Sequence, residues 1–424
     1  MIGEEIHALG RELFPICRSI TGQGVRDTLA RLREIVPEME IHAVPSGTRC
    51  FDWIVPPEWN IRDAYILAPD GSRIADFRVN NLHVVGYSVP VDRHLELHEL
   101  QNHLYSLPEQ PQAIPYVTSY YEDRWGFCIS HQQRKTLQPG TYYVRIDSTK
   151  APGVLNYGEI VLPGATSDEV FVSTYVCHPS MANNELSGPT VAIHLAKWLR
   201  ALSNRRLSYR FVFIPETIGS IVYLSRKLDH LRAHVVAGFN VTCVGDDRQY
   251  SYLASRRGDT LADRVARHVL SHLAPGFVSY SYLERGSDER QYCSPGVDLP
   301  VACIMRSKAG AYPEYHTSLD DFKFVTPSGL EGAFKVLQRC LECIEANVRP
   351  QTRVLGEPQL GRRGLYPTLS TKTSSDIVKN LMNLLAYADG SRDLLAIADT
   401  ISVPMWDLWE TVDTLTKNDL LSVQ

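Results

Sequence analysis

The residues able to do chemistry in this chain fall at the ends of apolar runs. His178 follows VFVSTYVC, and Glu216 follows FVFIP. Asp246 and Asp247 follow FNVTCVG, Asp288 lies in LERGSDERQYC, and His316 lies in AYPEYHTSLDD. Histidine and carboxylate are the residue types that zinc requires. Taken singly, each would serve as a loop hydrogen-bonder or a helix cap. Taken together, they recur in one context, just past a buried strand, where open α/β sheets form their sites.

The elements that must position them can be read from the pattern. EVFVSTYVC, YRFVFIP, VVAGFNVTCV and LPVACIM are near-continuous apolar runs, as strands buried on both faces require. Helical patterns over 188–202, 220–231 and 261–273 separate them. This alternation predicts an α/β sandwich with a mixed, largely parallel sheet. Residues 4–35 predict one or two helices broken near SITGQG, and MEIHAVPSGT predicts a strand with a Pro/Gly exit. From 50 to 147 the texture turns to short alternating runs rich in Pro, Trp and Tyr, with a PDGS hairpin turn, which predicts an inserted, mostly β domain. The α/β domain is thereby assigned to 1–49 and 148–348. A polar stretch rich in Gly, Pro and Arg predicts a linker over 349–371. Residues 372–424 have the helix–turn–helix rhythm of a winged-helix domain.

Composition narrows the function classes. Of 424 residues, 44% are hydrophobic and 21% charged, and the formal net charge of -5 offers no electrostatic footprint for nucleic acid. The segment MWDLWETVDTL, where a recognition helix would lie, is acidic and lacks the cations that read base edges. The start MIGEEIHALG is acidic without an apolar signal core, and no run of eighteen apolar residues occurs. A cytoplasmic protein without a membrane partner is the expectation. Nine scattered cysteines, an odd number, fit reduced thiols. Cys340 and Cys343 form one C-x-x-C in a helical stretch and are expected to be packed there. His94, His98 and His103 in HLELHELQNH lack the H-E-x-x-H spacing and predict a solvated helix. No G-x-S-x-G elbow surrounds Ser180 or Ser187, which excludes that route to a serine nucleophile.

The order H … S-G … E-x-x-G-S … S-D … Y-H-T resembles the zinc aminopeptidase superfamily, which includes co-catalytic dizinc aminopeptidases and glutaminyl cyclases. More closely, LFPICRSITGQGVRDTL, STYVCHPSMAN, PETIGSIVYL, GSDERQY and EYHTSLDD are similar to a bacterial family labelled "polysaccharide biosynthesis protein with aminopeptidase-like domain". The resemblance implies an aminopeptidase-like sandwich carrying an insertion and a winged helix. It implies His178, Asp288 and His316 as metal ligands, with Asn184 at the position of a metal-bridging aspartate. The superfamily's E-E-x-G falls on Glu216-Thr217-Ile218-Gly219. The ungapped match keeps Glu216 as general base and puts Thr217 where a ligand would stand; a shifted match makes Glu216 the ligand. With Asn184 and Thr217 each removing a negative charge, one zinc ion is expected rather than two.

The function expected is metal-dependent, aminopeptidase-like amide hydrolysis by zinc-activated water. The substrate would be a short peptide or a small N-acylated or aminoacylated compound. Asp246, Asp247 and Glu314 are candidates to meet an ammonium group. Arg290, Tyr292, Tyr312 and Tyr315 are candidates to bind substrate carbonyls or hydroxyls. The alternative is a catalytically degenerate peptidase fold, retained as a binding or scaffold protein in a (poly)saccharide biosynthesis cluster, with a homo-oligomer as a further option.

Overall fold

The computed structural model describes residues 1–365 and 372–424, and the side chains of 372–377 are not described. The end of the expected linker, 366–371, lies outside the described residues. Two compact units divide the chain. The first comprises 1–263 and 277–335, and the second 264–276 and 336–424.

An eight-stranded sheet organises the first unit. In chain order its strands are β1 (Glu40–Pro45), β2 (Val154–Leu162), β3 (Glu169–Tyr175), β4 (Ser208–Ile214), β5 (Val235–Asn240), β6 (Ser251–Leu253), β7 (Val278–Tyr280) and β8 (Val301–Met305). Their spatial order is β1-β2-β4-β3-β5-β8-β6-β7. The core β4-β3-β5-β8 is parallel, while β2 joins β4 and β6 joins β8 antiparallel. Every residue of β3 and β4 is buried, which explains their unbroken apolar runs. β4 lies on one side of β3 and β5 on the other, so the chain changes direction about β3. That is the switch point at which such sheets open a crevice at their carboxyl ends.

Helices cover the sheet: α1 (Ile2–Leu13), α2 (Gln23–Ile35), α3 (Ser187–Arg200) and α4 (Ile218–His234). α3 follows a π-helical turn at Ala182–Leu186 whose residues are all buried. Gly188, in its first turn, passes so close to β3 that a Cβ would strike the Thr174 hydroxyl and the Val241 carbonyl oxygen.

The insertion builds its own antiparallel sheet from Glu58–Leu67, Thr141–Ala151 and Val91–Glu96, the middle strand pairing with both others. Its core includes Ile66, Phe127, Val144 and Ile146. The last strand runs to Ala151, beyond the expected boundary at 147. PDGS does turn the chain, but only the single bridge Leu67–Arg73 follows it, so no second strand forms. HLELHELQNH is not one helix. His94 lies on a strand, His98 on the single turn Leu97–Leu100, and His103 stacks on Trp125 at 3.6 Å.

In the second unit, helices Lys372–Tyr387, Leu394–Ile401 and Trp409–Lys417 are joined by a strand pair, Pro350–Thr352 against Leu421–Val423. The first of those strands falls inside the expected linker, so this domain starts before 372. Cys340 and Cys343 are buried free thiols. No helix among the described residues is long and apolar enough to cross a membrane.

Gly188→Ala should destabilise the protein by about 1–3 kcal/mol, because a methyl is forced into a filled site. A lowered urea midpoint at unchanged m-value would show it, and an unchanged midpoint would refute the close approach.

Candidate metal centre

The carboxyl ends of β3 and β4 deliver His178 and Glu216 to a common cavity of roughly 280 Å³. Its lining also includes His316, Arg290, Thr217 and Cys177, and, from the insertion, Trp53, Tyr116, Thr118, Tyr120 and Tyr121. His178 Nε2 lies 3.6 Å from Glu216 Oε2. The imidazoles of His178 and His316 are 5.6 Å apart. Asp288, wholly buried, stands behind Thr217, where its Oδ1 accepts from the Thr217 amide at 2.8 Å and the Ser220 hydroxyl at 2.9 Å. Its Oδ2 is buried with no hydrogen-bond partner.

Local backbone devices set these positions. Thr217 has φ 64° and ψ -74°, and the Ile218 amide donates to the Glu216 carbonyl across it at 2.8 Å. This is the rare γ-turn of positive φ, a strained conformation. It turns the chain sharply between Glu216 and α4. His316 also has a left-handed φ of 56°. Its carbonyl accepts from the Tyr116 amide at 2.9 Å, and the neighbouring Ser318 amide donates to the Ile114 carbonyl, so a segment of the insertion pins this loop.

Behind His178 lies a second layer: Glu185, which the sequence offers as a replacement ligand for the missing aspartate, and Arg18, which the sequence reading passes over. Glu185 Oε2 sits 2.8 Å from His178 Nδ1. Arg18, also fully buried, donates to the His178 carbonyl at 3.1 Å and places its guanidinium 3.5 Å from Glu185 Oε1. Burial raises Glu185 to about 8 against the lowering effect of the Arg18 charge. In its ionised form it accepts from Nδ1–H and leaves Nε2 with a lone pair facing the cavity. Cys177, His178 and Glu185 also offer ligand atoms within 4.8 Å of one another. The Arg18 charge beside Glu185 opposes a cation there, so Glu185 is read as the support of His178.

The π-helical turn is held from elsewhere. The Asn183 and Asn184 amides donate to the Asp320 carboxylate at 2.5 and 2.9 Å. The side-chain oxygen of Asn183 accepts from the Gly245 amide, and that of Asn184 from the Tyr175 hydroxyl at 3.0 Å. Asn184 therefore turns its carbonyl to Tyr175. Asp320 was legible only as part of EYHTSLDD.

The expected substrate residues divide. Arg290 lines the cavity and donates to Thr217 Oγ1 at 2.5 Å. Tyr315 stacks on His316 at 3.9 Å. Tyr292 and Tyr312 are core residues. Tyr292 bonds Ser173 and packs on Phe171, and Tyr312 packs on Phe324 near Asp320. The expected ammonium receivers are structural as well. Asp246 braces Ser307 and Asn183, Asp247 accepts from Ser328, and Glu314 pairs with Arg248 at 2.7 and 2.8 Å.

The electrostatics favour neutral donors. Burial pushes His178 down to about 3, with the Arg18 charge adding to the effect. Burial and neighbouring His178 bring His316 to about 3. Both imidazoles are neutral at pH 7 and able to donate lone pairs. Burial, then the Asp288 charge, raises Glu216 to about 8, and burial raises Asp288 to about 7. Two neutral imidazoles, two carboxyls resisting ionisation and the orphan Asp288 Oδ2 are the environment a divalent ion would relieve.

Comparison with known proteins places this geometry. A family model described as a domain of unknown function, DUF4910, matches residues 7–347. This chain belongs to that family. A winged helix-turn-helix model matches residues 347–423, in agreement with the strand at Pro350–Thr352. A Clostridium acetobutylicum protein described as "Putative polysaccharide biosynthesis protein with aminopeptidase-like domain" is 41% identical over 99% of this chain and 96% of its own length. A crystal structure of a "putative peptidase" from Clostridium acetobutylicum covers the whole chain and 96% of its own at 40% identity, with a TM-score of 0.94. A zinc aminopeptidase from Bacillus subtilis covers 80% of this chain and 94% of its own with a TM-score of 0.57 at 11% identity. The DUF4910 domain thus has the aminopeptidase fold.

Arg18→Met should destabilise the protein by about 1–3 kcal/mol, because it leaves buried Glu185, already raised to about 8, and the His178 carbonyl without their partner. Urea denaturation measures this. A cost below about 1 kcal/mol would remove Arg18 from the second layer.

Proposed function

We propose that the protein is a single-metal, aminopeptidase-like amide hydrolase acting on a short peptide or a small N-acylated compound. The observation that carries this reading is the convergence of His178, His316 and Glu216 on one cavity, with Asp288 buried directly behind Thr217 and its Oδ2 unsatisfied. The aminopeptidase fold and the name of the Clostridium relative support it.

His178 Nε2, His316 and Asp288 Oδ2 would hold the ion, preferentially zinc. Zinc in such a position polarises a carbonyl and acidifies water. Glu216 takes the proton from the attacking water and delivers it to the leaving nitrogen, so the amide and water yield an acid and an amine. The raised affinity of Glu216 for protons suits both halves of that transfer. Thr217 stands where the resemblance places a second carboxylate, and Arg290 rests on its hydroxyl. That guanidinium disfavours a second cation.

Zinc-loaded protein should carry about one ion per chain by elemental analysis. Glu216→Gln should keep that ion and lower turnover by about 10²–10⁴-fold. Loss of zinc in this variant would make Glu216 a ligand. A folded wild-type chain that takes up no zinc would favour the binding or scaffold reading, to which the Asn184 contact with Tyr175 already lends support.

The pH dependence has a definite sign. The metal-free fold keeps protons on Glu216 and Asp288, raised to about 8 and about 7, which the unfolded chain has already released. Its stability therefore falls as pH rises through that range. A cation must displace those protons, whereas the imidazoles near 3 hold none to displace. Zinc affinity, measured by competition with a chelator, should tighten by roughly tenfold or more from pH 6 to pH 8. A flat profile would contradict Asp288 as a ligand with Glu216 beside the ion.

A further inference from the structure

Arg290 forms no ion pair among the described residues, although its charge is felt by Glu216 and Asp288. It lines the cavity beside Glu216 and His316. One N–H bond goes to the neutral Thr217 hydroxyl, Nε is buried with no partner, and no carboxylate among the described residues lies within ion-pair distance. The other buried cation of the site, Arg18, has Glu185 at 3.5 Å. An arginine stays charged at any working pH, so it calls for an anion.

The cavity offers no matching receiver for an ammonium group. Glu216 is the one carboxylate of its lining. Asp246, Asp247 and Glu314, which could have met an amine, are engaged elsewhere with Ser307, Ser328 and Arg248. On the single-metal reading, Glu216 and Asp288 together neutralise a divalent ion, and Arg290 leaves the site one positive charge in excess. The rest of the wall is Trp53, Tyr116 and Tyr121, broad faces suited to a flat or apolar group.

We propose that the substrate is an amide bearing a carboxylate, an N-acyl amino acid or an N-acyl peptide, and that Arg290 binds that carboxylate as the specificity-determining residue. This inference rests on the proposed hydrolase site for the position of the scissile bond but not for the anion contact itself. It reverses the polarity expected of an exopeptidase that selects a free amino terminus. The flat guanidinium suits a carboxylate, which it can grip by two parallel N–H bonds.

The test compares N-acetyl-L-phenylalanine, N-acetyl-L-phenylalaninamide and L-phenylalaninamide by calorimetric titration into the full chain, zinc-loaded and metal-free. The acid should bind roughly 10–100-fold more tightly than the neutral amide, as expected for a charge-assisted hydrogen bond. The cationic amine should bind most weakly. Arg290→Met should erase the preference for the acid, and Arg290→Lys should restore part of it, with thermal melts confirming that both variants fold. Equal binding of acid and amide, tightest binding of the amine, no measurable binding of the acid at millimolar concentration, or a preference that survives Arg290→Met would each overturn the proposal. A preference for the acid in a chain that takes up no zinc would retain the ligand class and remove the hydrolase. Zinc uptake and turnover without that preference would do the reverse.

Discussion

Glu216 and Asp288 sit within electrostatic reach of one another, Asp288 fully buried and Glu216 at the cavity wall, and the rest of the site is arranged around that constraint. Two buried carboxyls resist ionising together, and burial by itself already favours their neutral forms. Imidazoles in the same volume lose their protons for the complementary reason. The protein therefore places four donors with no internal charge to balance them. Its two nearby cations are kept apart. Arg18 lies behind His178 and is committed to Glu185, and Arg290 rests on a neutral hydroxyl at the cavity wall. Neither reaches the carboxyl pair closely enough to form a salt bridge, and the charge deficit stays at the centre of the cavity.

Holding such a set costs conformational energy. The γ-turn at Thr217 and the left-handed backbone at His316 each cost about 1–3 kcal/mol. The surrounding contacts over-determine them. Asp288 takes the Thr217 amide, and Asp320 takes two amides of the turn before α3. The insertion contributes in the same way. The segment around Tyr116 pairs with the backbone on both sides of Thr317 while presenting its ring to both imidazoles. The insertion is thus a structural partner of the histidine loop as well as a wall over the cavity.

The sheet and the strand ends were legible because burial on both faces leaves an unmistakable apolar run, and polar residues just past such runs have few other places to lie. The α-helix Leu261–Leu273 matches its expected span for a similar reason: its amphipathic period is unbroken. Direction was not legible. Tyr292 lies four residues from Asp288, but on a short helical turn that carries it inward to Ser173. Asp246 ends a strand as expected, yet spends its oxygens on Ser307 and the Arg248 amide. Arg18 lies 160 residues from His178, and no local pattern ties the two. The strand Pro350–Thr352 has three residues and a proline, too short and too polar to stand out from a linker.

The turn before α3 shows how far a departure in sequence reaches. By resemblance Asn184 replaces a bridging aspartate, and in the structure its carbonyl takes the Tyr175 hydroxyl. The acidic side chain has not vanished from the turn; it stands one residue later. Glu185 lies on the far side of His178, where it orients the imidazole and meets Arg18. An acid that would have faced the cavity now supports a ligand from behind. Glu216 at the cavity and Asp288 behind Thr217 are the carboxyls left at this centre, while Thr217, with Arg290 on its hydroxyl, occupies the place where the resemblance puts another. The aminopeptidase fold is thus retained while the acid of this turn lies behind His178 and the cavity wall carries Arg290.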